Sequence, residues 1–315
     1  MPARSKLTPV DLSRWRNGNN GIDFTTTLES GRAGPHAMIM ALIHGNELCG
    51  AHAITFLHEH LTQPVKGRIS LALGNIAAYR RFESKNIGAS RYLDEDMNRV
   101  WSGDRLEGPS NSVELRRARE LRPLVDKVDF LLDLHAMENT GPPLILSGPL
   151  DRSVELARWL GTPQFIVQDA GHANGTRLRD YSNFSSNDHH HTALLIECGQ
   201  REDPESARVA IDASLKFLLS LDLIRPLPSP VFQPLQPMSS QDTIQVTDAV
   251  TVDTDAFSFL TDVEGFQVID RAGTVIARDG DRPIMTPYDS CVLVMPSREA
   301  KRGQTAVRFG HVVTG

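Results

Sequence analysis

Cysteine is scarce in this chain of 315 residues: Cys49, Cys198 and Cys291 are the only three, odd in number and far apart. No Cys-x-x-Cys pair or disulfide framework can be read from them, which fits a reducing cytoplasm. Long apolar runs are missing too. None approaches the ~18–20 residues that a bilayer span needs. The opening Met1-Pro2-Ala3-Arg4-Ser5-Lys6 is polar, with no apolar run behind it, so neither a membrane partner nor a leader is expected. Positive charge is not in excess either. A net charge of −6 argues against nucleic-acid binding, yet a few local arginines can still hold a small anion. Hydrophobic residues at 40% and charged residues at 23% are ordinary for a soluble globular protein. The length suits one large domain and a smaller one, and a homo-oligomer stays open.

From His36 to about Ile224, short apolar runs alternate with amphipathic stretches, the pattern of an α/β domain. Residues 37–43, 68–74, 130–134 and 193–196 read as strands, and residues 51–60, 112–125 and 204–219 as helices. The composition then changes. Pro226, Pro228, Pro230, Pro234 and Pro237 fall within twelve positions, which no regular helix or central strand accommodates. Short β-rich segments at 249–252, 266–269, 274–277 and 291–295 follow, punctuated by Gly and Asp, with no helix suggested. The expectation is a linker near 225–240 joining a catalytic domain of residues 1–228 to a small β-domain of residues 229–315, placed to cap an active site.

The chemistry concentrates at strand ends, where ligands bind in open α/β sheets. His44 and Glu47 lie in His44-Gly45-Asn46-Glu47, and His135 follows Phe130-Leu131-Leu132-Asp133-Leu134. Two imidazoles and one carboxylate form the donor set of a hydrolytic zinc site that keeps one position open for water. Gly45 eases the turn that lets His44 and Glu47 converge. Read singly, His44 and Glu47 equally fit a solvated loop pair, and His135 a hydrogen-bonded core histidine. At a third strand end, Ala193-Leu194-Leu195-Ile196 runs into Glu197. A carboxylate there suits a general base, or alternatively a structural acid paired with an arginine. Arg91 and Arg99 flank three acids in Arg91-Tyr92-Leu93-Asp94-Glu95-Asp96-Met97-Asn98-Arg99. Their guanidinium forks suit carboxylates and oxyanions, while the same pattern also describes a surface salt-bridge network.

In that order, His44-Gly45-Asn46-Glu47, the Arg91–Arg99 segment, Asp133-Leu134-His135 and Ile196-Glu197 resemble the motifs of the succinylglutamate desuccinylase/aspartoacylase family, a branch of the zinc carboxypeptidase superfamily. Leu73-Gly74-Asn75 is similar to the family's Gly-Asn-Pro strand end, with Ile76 in place of proline. The resemblance spans about residues 37–220. It implies a zinc-carboxypeptidase-like mixed sheet flanked by helices, with a smaller C-terminal all-β domain. It further implies one Zn²⁺ per chain on His44, Glu47 and His135, with Glu197 as the base. Arg91 would polarise the scissile carbonyl and stabilise the oxyanion, and Asn98 with Arg99 would bind the α-carboxylate. The implied reaction is amide hydrolysis of a small anionic N-acyl amino acid.

The segment after the base departs from the family. Glu197-Cys198-Gly199-Gln200-Arg201 matches neither the Leu-Gly-Lys of typical succinylglutamate desuccinylases nor the Val-Gly-Pro of aspartoacylases. Gly175-Thr176-Arg177-Leu178-Arg179 offers two arginines, either for a second substrate carboxylate or for surface solubility. Tyr288 is a candidate to reach over the site and bind substrate, or else packs a turn. His189-His190-His191 reads as an exposed loop, and His52, His58 and His60 as a helix face. Two rival functions share the metal: a metallocarboxypeptidase acting on peptides or cell-wall fragments, and a non-catalytic zinc-binding module.

Overall fold

Strand β2 (His36–Ala41) is buried along its whole length, so its alternation sorts side chains into two layers. Ala37, Ile39 and Ala41 join one apolar cluster, and Met38 and Met40 join another. Helices α1 (Leu48–His60), α5 (Asp151–Leu160) and α6 (Pro204–Ser220) close the first layer. The second is covered by α3 (Gly103–Glu107), α4 (Val113–Val125) and the fully buried Trp101. Two helix layers therefore enclose a sheet. The computed structural model describes residues 6–171, 174–236 and 240–313. Met1–Ser5 of the polar opening and Pro237 of the expected linker lie outside the described residues.

Local chemistry sets several helix ends. Asp203 accepts a hydrogen bond from Glu205 N at 2.9 Å and precedes Pro204 at the first position of α6. Ser112 caps α4 by accepting from Leu115 N at 3.0 Å. α5 ends at Gly161, whose φ of 66° lies in the left-handed region. Asn75 caps the single turn α2 (Ile76–Tyr79), accepting from Ala78 N at 3.1 Å.

The remaining strands of the helix-flanked part are β1 (Thr25–Glu29), β3 (Arg68–Leu73), β4 (Phe130–Met137), β5 (Leu144–Leu146), β6 (Phe165–Gln168) and β7 (Thr192–Gln200). After residue 240 come β8 (Asp242–Thr251), β9 (Phe257–Phe259), β10 (Val268–Ile269), β11 (Val275–Asp279), β12 (Arg282–Met285), β13 (Cys291–Val294) and β14 (Thr305–Val313). Eleven strands form one mixed sheet in the order β1-β3-β2-β4-β7-β5-β6-β8-β14-β13-β10, and β12-β11-β9 form a separate antiparallel sheet. The parallel run β3-β2-β4-β7 is its heart. The chain returns after the proline-rich segment with β8 parallel to β6, pairing Phe165 with Asp242.

Two expectations change. His135 and Glu197 lie within β4 and β7 and are direct partners in the ladder, rather than just past the strand ends. The apolar run stops there, but backbone pairing does not depend on side-chain polarity and continues to Met137 and Gln200. The expected strand at 266–269 is reduced to Val268–Ile269, because Phe266 adopts a φ of 64° that no strand tolerates.

Candidate metal centre and active-site cleft

At the end of β2 the chain turns sharply through Leu42, at φ 57°, and delivers His44 to Glu47 just before α1. Gly45 is needed for close approach: a Cβ there would lie 2.4 Å from Tyr79 N and 2.6 Å from Ser90 O. His44, Glu47 and His135 are all buried, with ligand atoms within 4.8 Å of one another. This trio can hold a metal ion.

Acids flank both imidazole rings. His44 Nδ1 lies 2.8 Å from Glu47 Oε1, and His135 Nδ1 lies 2.9 Å from Glu47 Oε2. Each opposite nitrogen meets another acid: His44 Nε2 is 2.8 Å from Asp96 Oδ1, and His135 Nε2 is 2.9 Å from Asp133 Oδ2. Each ring thus turns Nδ1 toward the shared carboxylate and has a further acid near its opposite nitrogen, as outer-shell partners do in metal sites, and Arg91 Nη2 also lies 2.9 Å from His44 Nε2. Burial favours the neutral form of Glu47, but His44 and His135 outweigh it and hold the carboxyl well below its ordinary range. Burial also disfavours a charged His135, yet Asp133 and Glu47 raise its pKa well above the usual histidine value.

Glu197 stands beside this trio. Its Oε2 is shielded from solvent with no hydrogen-bond partner among the described residues, and burial pushes the carboxyl up to about 7. A carboxylate so placed is poised to exchange protons near neutrality.

Arg91, Asn98 and Arg99 reach the same cleft. Arg91 Nη1 donates to Glu47 Oε1 at 3.2 Å and remains about a third exposed, with 35% of its side chain accessible. Asn98 is buried. Its Oδ1 accepts from Leu178 N at 2.9 Å, and its Nδ2 lies 3.5 Å from His135 Nε2. Arg99 donates to Asn98 O at 2.7 Å. The segment is pinned by Glu114, a fully buried acid at the start of α4 that the sequence reading overlooked. Its carboxylate accepts from Leu93 N, Asp94 N, Glu95 N and Asn75 Nδ2, at 2.7–3.3 Å. An acid in the first turn of an otherwise amphipathic helix was its only signal.

The cleft has a volume of about 510 Å³, in the range of small-molecule sites. One wall comes from the segment 137–142 after β4, and another from the chain beyond residue 240, including Phe266, Met295, Ser297, Thr305 and Arg308. Arg177 lines it but is 3% exposed, with its guanidinium gripped by Asp169 at 2.7 and 3.0 Å and by Asp180 at 2.6 Å. Arg179 is 1% exposed and donates to Asp180 and to Ser147 O. The surface-solubility alternative is thus overturned for both: each side chain lies in a buried ion network. Tyr288 is not brought to the cleft. Its hydroxyl is 2.7 Å from Thr247 Oγ1, and its ring meets the edge of His311. His189 and His190 are exposed in a loop, and His191 is half-buried. His58, on α1, stacks on Trp15.

A buried imidazole–carboxylate cluster that could hold a metal ion thus sits at the C-terminal edge of the parallel strands, beside an acid whose Oε2 has no hydrogen-bond partner among the described residues. The model of the succinylglutamate desuccinylase/aspartoacylase catalytic domain matches residues 33–217. The chain belongs to that family, whose deacylases act on amide bonds. It is 25% identical over 303 residues to the succinylglutamate desuccinylase of Paraburkholderia xenovorans, covering 85% of this chain and 79% of the relative. Among solved structures, a succinylglutamate desuccinylase/aspartoacylase from Rhodobacter sphaeroides superposes with a TM-score of 0.67 at 16% identity, covering 98% of this chain and 94% of that one. The succinylglutamate desuccinylase of Vibrio parahaemolyticus superposes with a TM-score of 0.64 at 19% identity, covering 99% and 92%. Among the described residues no helix is long and apolar enough to cross a membrane.

Proposed function

We propose that the protein is a zinc-dependent deacylase that hydrolyses the amide of an N-acyl amino acid, releasing a carboxylate and a free amino acid. The observation that carries this reading is the pairing of His135 with Glu197 across β4 and β7. It sets an unpartnered carboxylate oxygen beside the metal-binding trio. Two imidazoles and one carboxylate are the donor set of hydrolytic zinc sites, and both rings already turn Nδ1 inward. His44, Glu47 and His135 would hold one zinc ion per chain. When bound, that ion supplies Lewis acidity to the scissile carbonyl and to the attacking water.

The chain's own residues do the rest. Glu197 takes the proton of the attacking water and returns it to the departing amine, a task suited to a carboxyl near 7. Arg91, still partly exposed, donates to the oxygen on which negative charge develops. Asn98 Nδ2 and Arg99 take the substrate's α-carboxylate, and Arg177, locked by Asp169 and Asp180, shapes the wall behind them. The wall supplied from beyond residue 240 supports a small substrate over an extended peptide, and residues 229–315 act as the capping β-domain. The buried free cysteines suit a cytoplasmic setting.

The test is amine release by the zinc-loaded protein from a panel of N-acyl amino acids. Release that a chelator abolishes is expected. Release only from peptides with a free C-terminus would make the protein a carboxypeptidase instead.

A further inference from the structure

The floor of the cleft changes character on the β5 side of Glu197. Strand β5 runs antiparallel to β7, with Leu144 the direct partner of Glu197 and Leu146 the partner of Leu195. Direct partners share a face of the sheet, so the base gives way sideways to apolar side chains. These three leucines line the cleft at its depth and belong to one apolar cluster with Val167 and Ile244. The cluster is not sealed on that side. Met137, Phe266 and Met295 pack on it, stay half-buried and line the same cleft.

Two of those half-buried side chains stand on a backbone that does not suit them. Phe266 has a φ of 64° and Met295 a φ of 50°, in the left-handed region that bulky residues avoid and glycine or asparagine occupies readily. Strain of this kind persists only where the surroundings fix it, and it gathers at ligand sites. Phe266 is fixed twice: its N–H donates to Leu293 O at 2.7 Å, and its ring stacks on Phe165 with centroids 3.8 Å apart. The loop after β4 closes in beside it. A Cβ on Gly265 would lie 3.8 Å from Pro142 Cδ and 4.0 Å from Pro296 Cδ.

An apolar surface held open to a cleft gains free energy when a ligand covers it. A charged group laid on the same surface would lose its hydration, and these side chains offer it no partner. We propose that Phe266 and Met295, above the leucine floor, form a subsite for an apolar group of the substrate, aliphatic or aromatic. This inference rests on the deacylase reading and narrows its substrate class to N-acyl amino acids with one hydrophobic arm. That arm can be the acyl chain or the amino-acid side chain.

N-hexanoylglycine and N-acetylphenylalanine separate those sources, with N-acetylglycine and N-succinylglycine as the short and the charged references. The wild-type kcat/KM should be at least about tenfold higher for one of the first two than for N-acetylglycine, the scale on which apolar pockets discriminate. N-succinylglycine should gain no such advantage. Phe266→Gly suits the backbone and removes the ring, so the preference should fall about tenfold, towards unity. Met295→Gly tests the second side chain in the same way, and carries the comparison should Phe266→Gly fail to fold. A wild-type protein that favours neither apolar arm, one that favours the succinyl group, or a preference unchanged in both variants would overturn the assignment. Calorimetric titration with hexanoate against acetate, and with phenylalanine against glycine, reads the same selectivity without turnover. If no amine is released yet the apolar ligands bind and Phe266→Gly weakens them, the deacylase reading fails and the subsite stands. Release without any apolar preference would leave the deacylase reading and remove the subsite, and neither release nor binding would remove both.

Discussion

The parallel strands β2, β4 and β7 and the antiparallel strands β8, β14 and β13 share one sheet, yet they bring residues to the cleft in different ways. In the parallel part, polar side chains gather where strands approach the C-terminal edge, so they appear in sequence as short dense motifs: His44 to Glu47, Asp133 to His135, and Glu197. In the antiparallel part, alternation alone decides what faces the cleft, and Arg308 stands as a single charged residue between Val307 and Phe309. The first arrangement concentrates donors for a metal and a base. The second builds a wall with a few polar points, and such points set selectivity more than rate.

The sharpest break between the two regions should come from Glu197→Gln. The amide keeps the size of the side chain but cannot take a proton, so kcat should fall by about 10²–10⁴ while zinc content, measured by elemental analysis, holds. A variant within a few fold of wild type would take Glu197 out of the chemistry. The pH profile carries the same test. Burial raises the Glu197 carboxyl from 4.5 to about 7, and a bound cation nearby pulls it back down. The base works deprotonated, so the acid limb of kcat/KM should lie between those two values; activity independent of pH across that window would count against it.

Next in size is the dependence of metal affinity on pH. Asp133 and Glu47 raise the pKa of His135, so a metal must displace a proton that the metal-free ring holds tightly. Zinc affinity should therefore tighten as pH rises, with net proton release on binding. Titration calorimetry in buffers of different ionisation enthalpy reads that proton, and its absence would mean that His135 does not bind the metal.

The contrast also explains what was legible in the sequence. The trio, Glu197 and the Arg91–Arg99 segment could be found because their chemistry is dense along the chain, and because residues 33–217 match a known catalytic domain. Glu114 and Arg308 could not. Each is one charged residue in an amphipathic element, and only the fold shows that its charge points inward. Strand β1, with Thr25-Thr26-Thr27, and the three-residue β5 were missed because they carry too little apolar periodicity. Tyr288 was open to two readings, a substrate contact or the packing of a turn, and its hydroxyl lies 2.7 Å from Thr247 Oγ1.

Glu114 allows a test of intermediate size. Glu114→Gln leaves one amide oxygen to satisfy three backbone N–H groups and Asn75, so about 2–4 kcal/mol of stability should be lost, read as a lower urea midpoint. Activity should fall further than stability alone accounts for, because the loop carrying Arg91 is the one released. An unchanged midpoint would show that these hydrogen bonds do not hold the loop.

The smallest effect is expected at Tyr288, which does not line the cleft. Tyr288→Phe removes one partly exposed hydrogen bond to Thr247 and keeps the ring against His311, a loss of about 0.5–1.5 kcal/mol. KM should stay within about twofold of wild type, since a hydroxyl committed to β8 makes no substrate contact to lose. A tenfold rise in KM with the melting temperature preserved would reverse the comparison. The antiparallel region would then reach the substrate through a loop as well as through its wall of the cleft, and the turn at Tyr288 would have to leave Thr247 when substrate binds.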